Sequence, residues 1–151
     1  VTGPASYEEY RQELAARGIG PVAYGNITLV PYVYQMEYAL SVADLVIGRA
    51  GASFLAEITA KGLPAILIPY PFAAENHQEF NARAVAERGG AVLVKEKDLS
   101  GAILAEHVRN LADRPEERAR MAAGARALGK PDAADRIIAE VLALTGSSRR
   151  K

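Results

Sequence analysis

Gly48-Arg49-Ala50-Gly51-Ala52-Ser53-Phe54-Leu55-Ala56-Glu57 holds residue types and spacings that can do chemistry. A run from Asp44 to Ile47 feeds a glycine turn, and the helix that follows stops at Gly62. A helix that opens straight after a tight turn presents unpaired backbone N–H groups and the positive end of its dipole, which together hold a phosphate. Gly51 lets the backbone approach a diphosphate, the amides of Ala52, Ser53 and Phe54 face it, and Arg49 adds charge nearby. Glu57 lies one to two turns further in, where an ionised carboxylate accepts two hydrogen bonds from a ribose diol. Diphosphate plus diol is the chemistry of a nucleotide-sugar. On the glycine pattern alone, an ordinary βα turn with a solvated glutamate is the commoner outcome. The dinucleotide fingerprint is incomplete, and the lysine of a P-loop is lacking.

A second polar stretch runs from Pro69 to Asn81. It leaves an apolar strand, crosses a proline-rich loop and enters a helix. His77 and Asn81 share a face at i,i+4, and Gln78 lies beside Asn81 at i,i+3. Amides and an imidazole supply both donors and acceptors, as sugar hydroxyls require. Helix capping with ordinary surface polarity explains the same residues, and Asn76 reads as an N-cap.

These loops need a frame, and the chain alternates strands with helices. Ser6-x-x-Glu9 is a capping box opening a helix through Arg17, with Tyr10 and Leu14 on one face and Gly18 as the stop. Strands are expected over 26–30, 44–47, 65–68 and 91–94, and helices near 35–42, over 52–61 and over 77–88. Apolar runs without polar alternation indicate strands covered on both faces. After Leu99 three helices remain, Ser100 to Ala112, Pro115 to about Leu128 and Pro131 to Leu144, two of them with proline at the first position. The fold class is α/β: an open, doubly wound, Rossmann-like parallel sheet with helices on both faces and a helical C-terminal end. One domain is expected over 1–144, with a flexible tail over 145–151. Ligands in such sheets sit beyond the carboxyl ends of the strands, where loops 31–34, 48–53 and 69–77 converge.

Composition closes several alternatives. Lys+Arg and Asp+Glu balance at 18 each in 151 residues, so no overall field draws the chain to nucleic acid. There are no cysteines and two histidines, which leaves no disulfide framework, no thiol chemistry and no convincing metal site. No apolar run reaches membrane-spanning length, and nothing resembles a lipid anchor. Tyr7, Tyr10, Met36 and Met121 read as packing residues, and His107 as a solvated mid-helix residue. Ile137, Ile138, Val141 and Leu142 form an apolar stripe, read as a packing face. If part of it is left uncovered, a homodimer is expected.

The motifs together carry a family resemblance. Residues 43–53 (Ala-Asp-Leu-Val-Ile-Gly-Arg-Ala-Gly-Ala-Ser), 56–58 (Ala-Glu-Ile), 62–71 (Gly-Leu-Pro-Ala-Ile-Leu-Ile-Pro-Tyr-Pro), 77–82 (His-Gln-x-x-Asn-Ala) and 130–137 (Lys-Pro-Asp-Ala-Ala-Asp-Arg-Ile) occur in register over nearly the whole chain. They closely resemble the C-terminal domain of the MurG family, glycosyltransferases of peptidoglycan synthesis. The resemblance implies the donor-binding half of a two-domain GT-B enzyme that adds N-acetylglucosamine from UDP-GlcNAc to a lipid-linked muramoylpentapeptide, lipid I. It implies Glu57 on the ribose and the backbone of Gly51, Ala52, Ser53 and Phe54 against the diphosphate or sugar, with Arg49 nearby. His77 and Gln78 would face the GlcNAc hydroxyls, with Asn81 on the same helix, and the Val33 backbone would meet the uracil edge. It further implies inversion at the anomeric carbon without a metal or other cofactor, and a peripheral place on the cytoplasmic face of the bacterial inner membrane.

This sequence departs from the family at Phe54, where a threonine is usual, at Phe72, where a histidine is usual, and at Tyr34 and Gln35, where an acidic pair is usual. The chain opens at Val1 without the Gly-Gly-Ser strand or the acceptor domain. The expectation is a piece of a longer enzyme, inactive alone, with its catalytic base and its acceptor in the part not present. The alternative is a non-catalytic, nucleotide-sugar-binding subunit that works with a partner chain.

Overall fold

The computed structural model of the chain describes residues 1–19 and 27–145, which fall into two compact units divided between Ser41 and Val42. The first unit holds helices α1 (Tyr7–Ala16) and α2 (Met36–Ser41). The end of α1 closes as expected: Gly18 N–H bonds Ala15 O at 3.0 Å and Ile19 N–H bonds Leu14 O at 2.8 Å. Its start does not. Ser6 has helical dihedrals and its hydroxyl caps nothing, so the capping box is absent. Tyr7, Arg11 and Leu14 line a cavity of about 190 Å³ with Ile19, Ile27 and Leu29, while Tyr10 is 47% exposed. The strand expected over 26–30 does not form over 27–30, and Asn26 lies outside the described residues. A ladder needs repeated pairing, and one bond from Thr2 N–H to Val30 O at 3.3 Å does not supply it.

The second unit alternates β1 (Val46–Gly48), α3 (Ala52–Lys61), β2 (Ala65–Leu67), α4 (His77–Glu87) and β3 (Ala91–Leu93), then α5 (Gly101–Ala112), α6 (Pro115–Arg126) and α7 (Ala133–Leu144). The three strands are parallel in the order β1-β2-β3, with Val46, Ala65 and Ala91 in register at one end and Gly48, Leu67 and Leu93 at the other. Both crossovers step the same way across the sheet, so right-handed connections put α3 and α4 on one face. On the other, Ile66 and Ile68 pack with Val94 just after β3 and with Leu104, Val108, Leu111 and Met121 from α5 and α6. Adjacent strand residues point to opposite faces, so fully buried Ala65 and Leu67 turn toward the α3–α4 layer. Helices therefore cover both faces, and the doubly wound reading holds.

Packing sets the remaining details. Ser100 caps α5, accepting from Ile103 N–H at 3.2 Å. In α6, Gly124 lies against the end of α4, and a Cβ there would sit 2.3 Å from Arg88 O. Three local readings are corrected. Helix α7 starts at Ala133, leaving Pro131 outside it. Ile47, expected inside, is 44% exposed on a strand with a single described neighbour. The α7 stripe is not packed: Ile137, Ile138, Val141 and Leu142 are 44–64% exposed. Met121 is core, Met36 is half-buried, and the tail expected over 145–151 lies, beyond Thr145, outside the described residues. Among the described residues no helix is long and apolar enough to cross a membrane.

Candidate functional site

Because Gly48, Leu67 and Leu93 are level, the loops leaving the three strands emerge side by side at the carboxyl edge of the sheet. Gly48 leaves room for the Phe54 ring, since a Cβ would lie 2.8 Å from its Cε1 and the ring would have to shift. That ring occupies the end of β1, which explains why Phe54 is only half-buried and turned back on the strand rather than into the helix layer. Gly51 is different. It caps α3 at φ −68° and ψ 146°, open to any residue, and a Cβ on it would meet nothing within 4 Å. Its value is the empty space above it.

Helix α3 begins at Ala52, and its first internal bond runs from Leu55 N–H to Gly51 O at 3.0 Å. The N–H groups of Ala52, Ser53 and Phe54 therefore have no acceptor within the helix, and no side chain caps them. Ala52 and Ser53 are exposed. Glu57 stands one turn beyond Ser53 on the same face, exposed, its carboxylate without an ion pair among the described residues. The arrangement is an open anion seat with a free carboxylate beside it.

Arg49 does not hang free over that seat. Its Nη1 donates to Ile68 O at 3.2 Å and Pro69 O at 3.4 Å, pairs with Glu96, and its guanidinium lies 5.7 Å from the Tyr70 ring centre. It ties the ends of β1 and β2 to the turn after β3, and in return holds the Glu96 carboxyl below the usual carboxylate range. No signal local to residue 96 points to this partner.

Loop 69–76 enters α4 through two left-handed residues, Glu75 at φ 51° and Asn76 at φ 54°. Asn76 is thus not the side-chain N-cap expected of it: its Nδ2 donates instead to Glu79 Oε2 at 3.1 Å. Glu79 also binds Lys95 Nζ at 2.6 Å and Arg83 at 2.9 Å, and these partners, Lys95 foremost, lower its pKa to about 2. Asn76, Glu79, Lys95, Glu96 and Lys97 line a cleft of about 390 Å³ with Pro69 and Pro71. His77, exposed at the start of α4, has Nδ1 2.7 Å from Ala74 O. A carbonyl only accepts, so Nδ1 carries a proton in this bond and Nε2 is the ring nitrogen left for a ligand.

Gln78 and Asn81 face inward to the first loop. Gln78 Oε1 accepts from Ala50 N–H at 3.1 Å and Tyr70 N–H at 3.0 Å, and Asn81 Nδ2 donates to Ala50 O at 3.1 Å. Gly51, Ala52, Ser53, Phe54, Glu57, His77, Gln78 and Asn81 thus belong to one edge of the second unit. Val33 is a half-buried loop residue of the first unit, in sequence between Tyr32 and Tyr34, whose rings meet edge-on at 5.0 Å. Of the other departing residues, Phe72 is 82% exposed and meets Tyr70 edge-on.

With this geometry in hand, the relatives can be compared. A model of the glycosyltransferase family 28 C-terminal domain matches residues 1–137. The chain belongs to this family. A relative from Moorella thermoacetica, named UDP-N-acetylglucosamine--N-acetylmuramyl-(pentapeptide) pyrophosphoryl-undecaprenol N-acetylglucosamine transferase, is 54% identical over 142 residues, 94% of this chain and 38% of its own. A relative of the same name from Desulforudis audaxviator is 47% identical over 99% of this chain and 40% of its own. The crystal structure of Acinetobacter baumannii MurG superposes with a TM-score of 0.77 at 29% identity, over 90% of this chain and 40% of that one. The chain thus spans about two-fifths of the length of these relatives. The likeness at once of sequence and of fold supports the doubly wound reading and the MurG resemblance.

Proposed function

We propose that this chain is the UDP-GlcNAc-binding half of an N-acetylglucosaminyltransferase that makes lipid II from lipid I, acting at the cytoplasmic face of the inner membrane together with an acceptor domain. The observation that carries the reading is the α3 N-terminus: three unused amides, open space over Gly51 and a free carboxylate at Glu57 on the adjoining face. In this reading the amides of Ala52, Ser53 and Phe54 hold the diphosphate and Glu57 takes the ribose hydroxyls. His77 Nε2 accepts from a GlcNAc hydroxyl, and Gln78 Nε2 donates to one. Arg49 acts on the diphosphate at one remove, by fixing the strand ends. The role of Val33 at the uracil edge rests on the motif match.

As the bond from the anomeric carbon to the diphosphate oxygen lengthens, negative charge gathers on the departing UDP. Fixed amides and a helix dipole stabilise such charge without reorganising. Attack by the acceptor hydroxyl from the opposite side inverts the anomeric centre, and the base that takes its proton belongs to the acceptor domain.

Calorimetric titration with UDP, 2′-deoxy-UDP and UDP-GlcNAc tests the assignment. The chain should prefer UDP over its deoxy analogue by about tenfold to a hundredfold, since a hydrogen bond to a charged group contributes ~1.5–3 kcal/mol. Glu57→Ala should lose both that preference and most of the affinity. An unchanged affinity in Glu57→Ala rejects the carboxylate as the ribose ligand, and no binding of UDP at millimolar concentration rejects the site.

A further inference from the structure

The peptide of Ala50 lies immediately before the α3 cap and is fully buried. Neither of its polar groups is satisfied by the sheet. Its N–H goes to Gln78 Oε1 and its C=O to Asn81 Nδ2, each at 3.1 Å, from residues 28 and 31 positions later in the chain. The same Gln78 oxygen takes the Tyr70 N–H at 3.0 Å, so one atom joins the turn after β1 to the loop after β2. A carbonyl oxygen has two lone pairs, and both are used. The amide orientations follow, because a flipped Gln78 would point NH₂ at two N–H donors and a flipped Asn81 would point oxygen at oxygen.

We infer that Gln78 and Asn81 are positioning residues, whose chief work is to hold the Ala50 peptide so that the amides of Ala52, Ser53 and Phe54 converge on the diphosphate. The inference rests on the donor reading above and deepens it. It separates cleanly from a role as plain sugar contacts. A side chain that only touches GlcNAc affects the binding of UDP-GlcNAc and leaves UDP alone. A side chain that sets the α3 amides affects the binding of UDP as well.

The experiment titrates UDP and UDP-GlcNAc into the wild-type chain, Gln78→Met, Gln78→Glu and Asn81→Leu, and follows amide hydrogen exchange without nucleotide. Gln78→Met removes the bridging oxygen at similar volume, whereas Gln78→Glu keeps an acceptor there for both N–H groups. Gln78→Met and Asn81→Leu should weaken UDP by about tenfold, the worth of one or two hydrogen bonds, and Gln78→Met, which also loses the Nε2 contact with GlcNAc, should weaken UDP-GlcNAc at least as much. Exchange of the Ala50 and Tyr70 amides in Gln78→Met should quicken by a similar factor, and Gln78→Glu should restore slow exchange at both. A loss confined to UDP-GlcNAc, or unchanged exchange at Ala50 and Tyr70 in Gln78→Met, overturns the inference. A wild-type chain that binds neither nucleotide overturns the donor reading itself, an outcome distinct from a selective loss in the variants.

Discussion

Gly51→Ala separates binding from folding at one position. The residue caps α3 with dihedrals that alanine adopts freely, and the added methyl meets no heavy atom within 4 Å. Replacing glycine by alanine at such a site stabilises by ~0.4–1 kcal/mol through the unfolded chain. Alanine caps a helix less well than glycine by a similar amount, so the two effects offset to within about 0.5 kcal/mol. The methyl, however, projects into the space the diphosphate would fill over the Ala52–Phe54 amides. Displacing a phosphate by even an ångström from three charge-assisted donors, each ~1.5–3 kcal/mol at full strength, should weaken UDP binding by tenfold or more. Urea unfolding and calorimetric UDP titration of one preparation measure both quantities. The same substitution at Gly48 is the control, because its methyl would lie 2.8 Å from the Phe54 ring. Displacing that ring should cost ~1–3 kcal/mol of stability. Wild-type UDP affinity in Gly51→Ala would show that no phosphate approaches this helix end, and a large loss of stability would show that the space is not open.

Other outcomes follow from the same structure. Gly124→Ala should destabilise the chain by ~1–3 kcal/mol although alanine is the better helix former by ~1 kcal/mol, because its Cβ would sit 2.3 Å from Arg88 O; a raised melting temperature refutes the close approach. Glu79 has its pKa lowered from 4.5 to about 2, so its ionised form supports the fold above pH 4.5 and that support fades as pH falls toward 2. Glu79→Gln should flatten the acid limb of a stability-against-pH curve over this interval, and an unaltered limb counts against the Lys95 and Arg83 pairing. For the exposed apolar face of α7, sedimentation should show a concentration-dependent dimer that Val141→Lys dissociates. A wild-type monomer at high concentration removes that face as a self-association surface.

What the sequence disclosed depended on how locally each feature is determined. Helix α3 runs between Gly51 and Gly62 as read, because both punctuating residues act within one turn of the helix they bound. The apolar cores of β2 and β3 were equally plain, since burial on both faces leaves no polar alternation. Residues 27–30 have strand composition without a ladder, and composition cannot supply the partner. Ser6 and Asn76 have capping side chains, yet each backbone takes dihedrals that turn the side chain from the helix end. Pro131 has the type of a first helical residue, but the helix starts two residues on. At the site, Glu57, Gly51 and the α3 amides follow from one segment. The inward turn of Gln78 and Asn81 and the Arg49–Glu96 pair each join residues about 30 to 50 positions apart, and only folding brings them together.

The level ends of the three strands have a consequence for how this architecture tolerates change. Strands of three residues leave no slack: one residue added at the start of β2 would swap the layers that Ile66 and Leu67 face and lift its loop by ~3.3 Å above its neighbours. Insertions at exposed Phe72, Ala74 or Glu75, in contrast, lengthen a rim without disturbing the platform beneath it. Variation in chain length among relatives should therefore collect at the lip, while the spacing from Val46 to Gly51 and from Ala65 to Pro69 stays constant to the residue.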